Sequence, residues 1–137
     1  MDNHITLVGN ITRDPEIRYT PSGQTVVTFG LAVSRRWQNG QNEWEEQTSF
    51  FDVKCWSQMA ENVAESVAKG TRVVVAGRLE QRSWETDSGD KRSKVEVVAD
   101  EVAPSLRWAT AEVSKVERST GGTTPSGESA YDDEEPF

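Results

Sequence analysis

The chain has one cysteine, Cys55, and one histidine, His4, in 137 residues. A lone thiol excludes an intrachain disulfide and fits a reducing compartment. It also leaves no partner for a thiolate metal site, and one imidazole supplies no histidine cluster. No segment reads G-x-x-x-x-G-K-[ST], so the usual phosphate cradle is missing. Carboxylates are plentiful, but none stands in the apolar setting that would mark it as an acid or base. With no catalytic constellation, an enzyme is not expected, nor is a cofactor. No apolar run approaches the ~20 residues needed to span a bilayer. The start, Met1-Asp2-Asn3-His4, lacks the basic and apolar regions of an export signal. A cytoplasmic protein with no membrane partner is expected.

Charge of one sign is scarce in one place only. The net charge is −8, yet residues 1–110 hold 13 Lys and Arg against 16 Asp and Glu, while residues 111–137 hold 2 against 7. Most of the acidic excess therefore sits in the last fifth of the chain. The body is near neutral and has enough cations for a local basic groove, which a summed charge hides.

The stretch Gln47 to Trp56 organises the rest. Strand side chains alternate between two faces. Phe51, Val53 and Cys55 fall on one face and read as core. Phe50, Asp52, Lys54 and Trp56 fall on the other, where two large rings flank a cation. That face suits stacked bases and a phosphate; a strand buried on both faces is the plainer alternative.

Elsewhere, His4 to Val8 alternates into a first strand that Gly9-Asn10 should bend, and Glu16 to Tyr19 can form a short extended piece. Thr25 to Val33 is the clearest strand: Val27, Phe29, Leu31 and Val33 share one face, and the other is small. Mid-strand Gly30 suggests a bend or the close approach of another backbone. Gln38 to Gln47, polar and carrying Trp44, reads as a long hairpin loop. Ser57 to Lys69 reads as the one helix, with Ser57 as cap, Gly70 as the left-handed stop, and Ala60, Val63, Ala64 and Val67 as its apolar stripe. Thr71 to Leu79 is a strand with a second bend at Gly77. Arg82 to Arg92 forms a basic hairpin arm bearing Trp84, and Lys94 to Ala99 is the last strand.

Three strands, a helix and two strands, with glycines where barrel closure needs bends, match an all-β fold with one helix: a five-stranded OB barrel. A helix-capped antiparallel sheet is the main alternative. Trp108 is expected to pack on something. Ser119 to Phe137 is rich in Gly, Ser, Thr and Pro and is expected to be disordered. The expected divisions are a barrel domain over 1–110, an extension and linker over 111–131, and an acidic tip over 132–137.

Aromatic rings next to cations recur: Trp37 with Arg35 and Arg36, Phe50 and Trp56 with Lys54, and Trp84 with Arg78 and Arg82. Five tryptophans are more than a core of this size calls for. Stacking one base is worth ~1–3 kcal/mol, so several platforms would support tight, sequence-tolerant binding to single-stranded nucleic acid. An OB-fold adaptor using the same rings against a protein or an oligosaccharide is the competing reading. At the far end, Asp132-Asp133-Glu134-Glu135 leads into Pro136-Phe137. Solubility accounts for the acids but not for a terminal phenyl ring, which suits a basic pocket with an apolar floor on a partner.

These residues resemble the bacterial single-stranded DNA-binding protein family. The likeness runs through Leu7-Val8-Gly9-Asn10, Arg13 to Tyr19, Glu46-Gln47-Thr48, Lys69-Gly70, Gly77-Arg78-Leu79, Trp84 and the tail tip. Ala99 to Trp108 looks like the actinobacterial branch. The resemblance implies an OB-fold subunit of a homotetramer that wraps single-stranded DNA during replication, recombination and repair, in the cytoplasm and associated with the nucleoid. It implies stacking by Trp37, Phe50, Trp56 and Trp84. Phosphates would be held by Arg35, Arg36, Lys54, Arg72, Arg78 and Arg82. It implies that Asp132, Asp133, Glu134, Glu135, Pro136 and Phe137 dock partner enzymes, and that a segment like Leu106 to Val116 adds a strand or hook clamping dimers. Phe50 stands where the family often has Trp, and Trp56 where it often has Phe.

Overall fold

A computed structural model describes residues 2–117. Their elements are β1 (Ile5–Ile11), β2 (Glu16–Tyr19), β3 (Thr25–Gln38), β4 (Trp44–Trp56), α1 (Ser57–Ser66), β5 (Arg72–Glu85) and β6 (Lys91–Pro104). The strands run in the order β1-β5-β6-β4-β3-β2, and β1 also pairs with β3. That extra pairing closes β1, β5, β6, β4 and β3 into the expected five-stranded barrel. An open helix-capped sheet is excluded. β2 adds a sixth strand beside β3.

Closure depends on β1 serving two neighbours. Ile5 to Asn10 face β5, while Asn10 and Ile11 face β3. The chain changes partner at Gly9-Asn10 without leaving the strand. A methyl on Gly9 would run into the Ala32 carbonyl of β3, so glycine permits the two backbones to cross this closely. At the other expected bend, Ala76 faces Glu101 but Gly77 faces Ala99, which leaves Asp100 as a bulge in β6. At Gly30 the second of the two expected roles applies, the close approach of another stretch of chain. Thr12 donates its amide to the Gly30 carbonyl at 2.9 Å, and the side chains of Thr12 and Arg13 occupy the space a Cβ would need.

Alternation then decides what goes inside. Val27, Phe29 and Leu31 of β3, Val53 and Cys55 of β4, Val73 and Val75 of β5, and Val97 of β6 fill the barrel and are shielded from solvent. Ala60, Val63 and Val67 plug it from below as the expected stripe, with Ala64 packed beside them. The Thr25 hydroxyl donates to Glu61 at 3.2 Å, which ties α1 to β3.

The helix is shorter than expected and its caps differ. Trp56 is the extended N-cap residue, Ser57 follows at φ 59°, and no side chain caps the helix. The strand runs so directly into α1 that Ser57 makes the corner itself. At the other end, Val67 is buried and its backbone is already extended (φ −128°). Gly70, at φ 93°, serves the following turn, where its amide bonds to the Ile11 carbonyl at 2.8 Å.

The expected loop over Gln38 to Gln47 is mostly strand. The Asn39 side chain accepts from the amides of Gln41 (2.7 Å) and Glu43 (3.0 Å). This Asx-type turn is short enough for Trp44 to pair with Gln38 and for the ladder to run unbroken down to Trp56. The second arm forms as expected, with Thr86 to Asp90 as its turn and Gly89 at φ 89°. Beyond Pro104 the described chain forms a hook and not a strand. The Ser105 amide bonds to the Arg72 carbonyl at 2.8 Å, and Trp108 reaches back over β5. The tip Asp132 to Phe137 and most of the linker lie outside the described residues. No described helix is long and apolar enough to cross a membrane.

Burial pushes the Cys55 thiol up to about 12 from 9.0. The unfolded thiol ionises near 9 and the folded one does not, so this group destabilises the fold as pH rises from 9 towards 12. In native buffer near neutral pH, Cys55 should ignore a thiol reagent and form no disulfide-linked dimer on a non-reducing gel. It should react fully in guanidinium. Rapid native labelling would contradict the burial.

Candidate functional site

With Phe51, Val53 and Cys55 turned inward, β4 must present Trp44, Phe50, Asp52, Lys54 and Trp56 outward. The three rings are six residues apart along one strand face, or about 20 Å between successive rings at ~3.4 Å per residue. Phe50 is 72% exposed and Trp44 64%, whereas Trp56 is half-covered. Pairing with β6 and β5 widens this face. Val98 stands beside Lys54, and Lys94 and Glu96 lie on the same outer side, opposite Arg82 and Glu80 of β5. Trp84 follows on the β5–β6 arm, across from Arg92.

Cations accompany most of the rings. Lys54 lies 5.9 Å from the Trp56 centroid and Arg82 4.6 Å from that of Trp84. On the β3–β4 arm, Arg36 sits 5.4 Å from Trp44 and Arg35 4.6 Å from Trp37. The unbroken register puts Arg36 and Trp44 on the outer face shared with Phe50. It puts Arg35 and Trp37 on the opposite side of the same arm. The arm therefore carries one cation-backed indole on each face.

Two carboxylates knit the centre. Glu96, nearly buried, lies 3.5 Å from both Lys54 and Arg82. It thus links the cation beside Trp56 to the cation beside Trp84. Asp52 pairs with Arg13 at 3.3 Å and with Lys94. Arg13 reaches it over Gly30, the position with no side chain. An open groove of ≈ 520 Å³ runs over these groups, lined by Arg13, Lys54, Trp56, Arg82, Lys94 and Glu96 among others. Flat rings beside paired cations in an open groove can stack planar groups and bind a chain of phosphates. Among the described residues there is no group of three or more His, Cys, Asp or Glu able to hold a metal ion.

The model of the single-strand binding protein family matches residues 2–105. The chain belongs to that family. It is 55% identical over 119 residues to the single-stranded DNA-binding protein of Corynebacterium glutamicum, covering 85% of this chain and 53% of that protein. It is 51% identical over 123 residues to the Mycobacterium tuberculosis protein of the same name, covering 88% of this chain and 74% of that one. It thus spans about half the length of the Corynebacterium relative. A solved Plasmodium falciparum SSB in complex with ssDNA superposes with a TM-score of 0.69 at 26% identity, covering 74% of this chain and 93% of that chain.

Within this family member the residues singled out from the sequence separate into three groups. Phe50, Lys54, Trp56, Arg82 and Trp84 come together on the outer face, where Arg78 also stands, paired with Glu80 at 3.2 Å. Arg35, Arg36 and Trp37 lie out on the β3–β4 arm. Arg72 is at the other end of β5, 4.8 Å from the Trp108 ring, and lines a separate hollow beneath the hook. Trp108 packs on something as expected, on the guanidinium groups of Arg72 and Arg107, while staying 74% exposed. Sequence reasoning passed over Arg13, Lys94 and Trp44. Arg13 stands on the bend after β1 and reaches Asp52 over Gly30, and Lys94 meets Asp52 from a different strand, so neither contact shows in a local pattern. Trp44 was hidden by reading its strand as a loop, although its six-residue spacing from Phe50 was visible.

Replacing Glu96 by Ala removes the acceptor that Lys54 and Arg82 share. Hydrogen bonds to charged groups contribute about 1.5–3 kcal/mol, less where a partner is exposed as Arg82 is. Urea unfolding of Glu96→Ala should show a loss of about 1–2 kcal/mol. Trp44→Ala, on the exposed arm, should stay within about 0.5 kcal/mol. Equal effects would mean that Glu96 does not organise the centre.

Proposed function

We propose that this chain binds single-stranded DNA without regard to sequence and protects it during replication, recombination and repair. The observation that carries this reading is the outer face of β4: a row of rings beside a groove with paired cations. Bases stack on Trp37, Phe50, Trp56 and Trp84, and Trp44 extends the row along the arm. Arg35, Arg36, Lys54, Arg78 and Arg82 hold backbone phosphates. Arg72, engaged by the hook, stands outside this path. The role is binding and not catalysis, because stacking and ion pairing need no bond to change.

The chain acts in the cytoplasm, on the nucleoid, as a homotetramer. Apolar side chains exposed on one barrel, Val8, Ile17 and Tyr19 among them, gain cover against other copies. The hook from Ser105 onward reinforces that assembly. The tip, Asp132-Asp133-Glu134-Glu135-Pro136-Phe137, recruits replication, recombination and repair enzymes, its acids meeting a basic rim and Phe137 an apolar floor.

Alanine replacement tests the path. Trp37→Ala, Phe50→Ala, Trp56→Ala and Trp84→Ala should each weaken binding to a fluorescent oligo-dT by about 1–3 kcal/mol, with melting temperatures nearly unchanged for Trp37 and Phe50. If all four keep wild-type affinity, the rings serve another surface, and the adaptor reading replaces this one. Deleting Pro136-Phe137 should abolish capture of partner enzymes and leave DNA affinity intact or slightly higher. A large loss of DNA affinity on that deletion would contradict the division of labour between barrel and tip.

A further inference from the structure

We propose that Asp52 and Glu96 set how many phosphates the outer face grips, by offsetting two of the four positive charges they pair with. The inference rests on the single-stranded DNA reading and deepens it. Arg13 and Lys94 share Asp52, and Lys54 and Arg82 share Glu96. Four cations against two carboxylates leave a local net charge of two.

Both acids are placed to act on a bound phosphate. They stand on the outer face with the rings, Asp52 on β4 with Trp56 and Glu96 on β6, between β4 and the β5 strand that carries Trp84. A phosphate touching Lys94 or Lys54 would lie within hydrogen-bonding distance of a cation that already touches a carboxylate. That is well inside the ~8 Å over which physiological salt screens charge. Neither acid can swing clear. Glu96 is nearly buried, and Asp52 is held from two sides by Arg13 and Lys94. Each carboxylate thus does two opposed things. It fixes two long, flexible cationic side chains in register with the rings, and it cancels one unit of the charge they would offer DNA.

Counting cations alone therefore overstates the grip. Each phosphate neutralised on a single strand contributes about −0.7 to the slope of log affinity against log salt. Four free cations would contribute about −2.8, whereas a net charge of two contributes about −1.4. Binding at this patch is weaker in its ionic part and leans more on stacking, which salt does not screen.

The test is Asp52→Asn and Glu96→Gln, each measured with the full-length protein and a fluorescent oligo-dT by anisotropy across a salt series. Both substitutions keep the shape and a hydrogen-bond acceptor while removing one negative charge. Each variant should bind more tightly than wild type at low salt, with a slope steeper by about 0.7. Between about 50 and 200 mM salt, that amounts to an extra loss of about 2.6-fold. A slope equal to wild type, with or without weaker binding, would mean that the acids only position side chains, and would overturn the proposal. Should Glu96→Gln fail to fold, Asp52→Asn carries the test alone. A wild-type protein with no salt-dependent affinity for oligo-dT would defeat the binding reading itself, and that control separates the two failures.

Discussion

The double pairing of β1 is the constraint from which the rest of the molecule follows. Because Asn10 and Ile11 reach β3 while the preceding residues hold β5, the sheet has no choice but to close. Closure defines an inside and an outside for every strand, and alternation then assigns each residue to one of them. The inside takes Phe29, Leu31 and the valines. What remains on the outside of β4, β5 and β6 is a mixture of rings and charges that no core could hold. Gly9 permits the crossing; without it, the Ala32 carbonyl would be in the way.

On that outer surface the order comes from electrostatics. Long lysine and arginine side chains left to themselves would sweep through solvent. Here Glu96 holds Lys54 and Arg82, and each of these in turn lies beside an indole. The carboxylate therefore couples two rings on different strands through two cations. Glu96 is nearly buried, so the pairs it makes contribute to stability as well as to geometry. They hold rings and cations in a fixed relation across the outer face.

Much of this is legible in the sequence. The alternation in Gln47 to Trp56 separated a core face from a ring-bearing face, and Val53 and Cys55 are indeed buried while Phe50 is open. The barrel, the helical stripe and the basic arm at Trp84 could be read from periodicity and turn residues. Failures had local causes. The ladder from Gln38 to Trp44 is held by one Asn39 side chain, so a polar stretch that looks like loop is strand. Ser57 makes a corner where it might have capped, because β4 and α1 meet without a linker. Trp108 does pack as expected, but on the guanidinium groups of Arg72 and Arg107 and not in a core. The pairing of Arg13 and Lys94 with Asp52 depends on contacts between distant parts of the chain, and no local pattern announces it.

The account stands on the claim that exposed rings stack on bases while cations grip phosphates. Tryptophan fluorescence during titration with unlabelled poly-dT, at low and at high salt, tests this most directly. The account predicts strong, saturable quenching that needs more DNA to develop as salt rises. An emission spectrum that poly-dT leaves unchanged at low salt would contradict it.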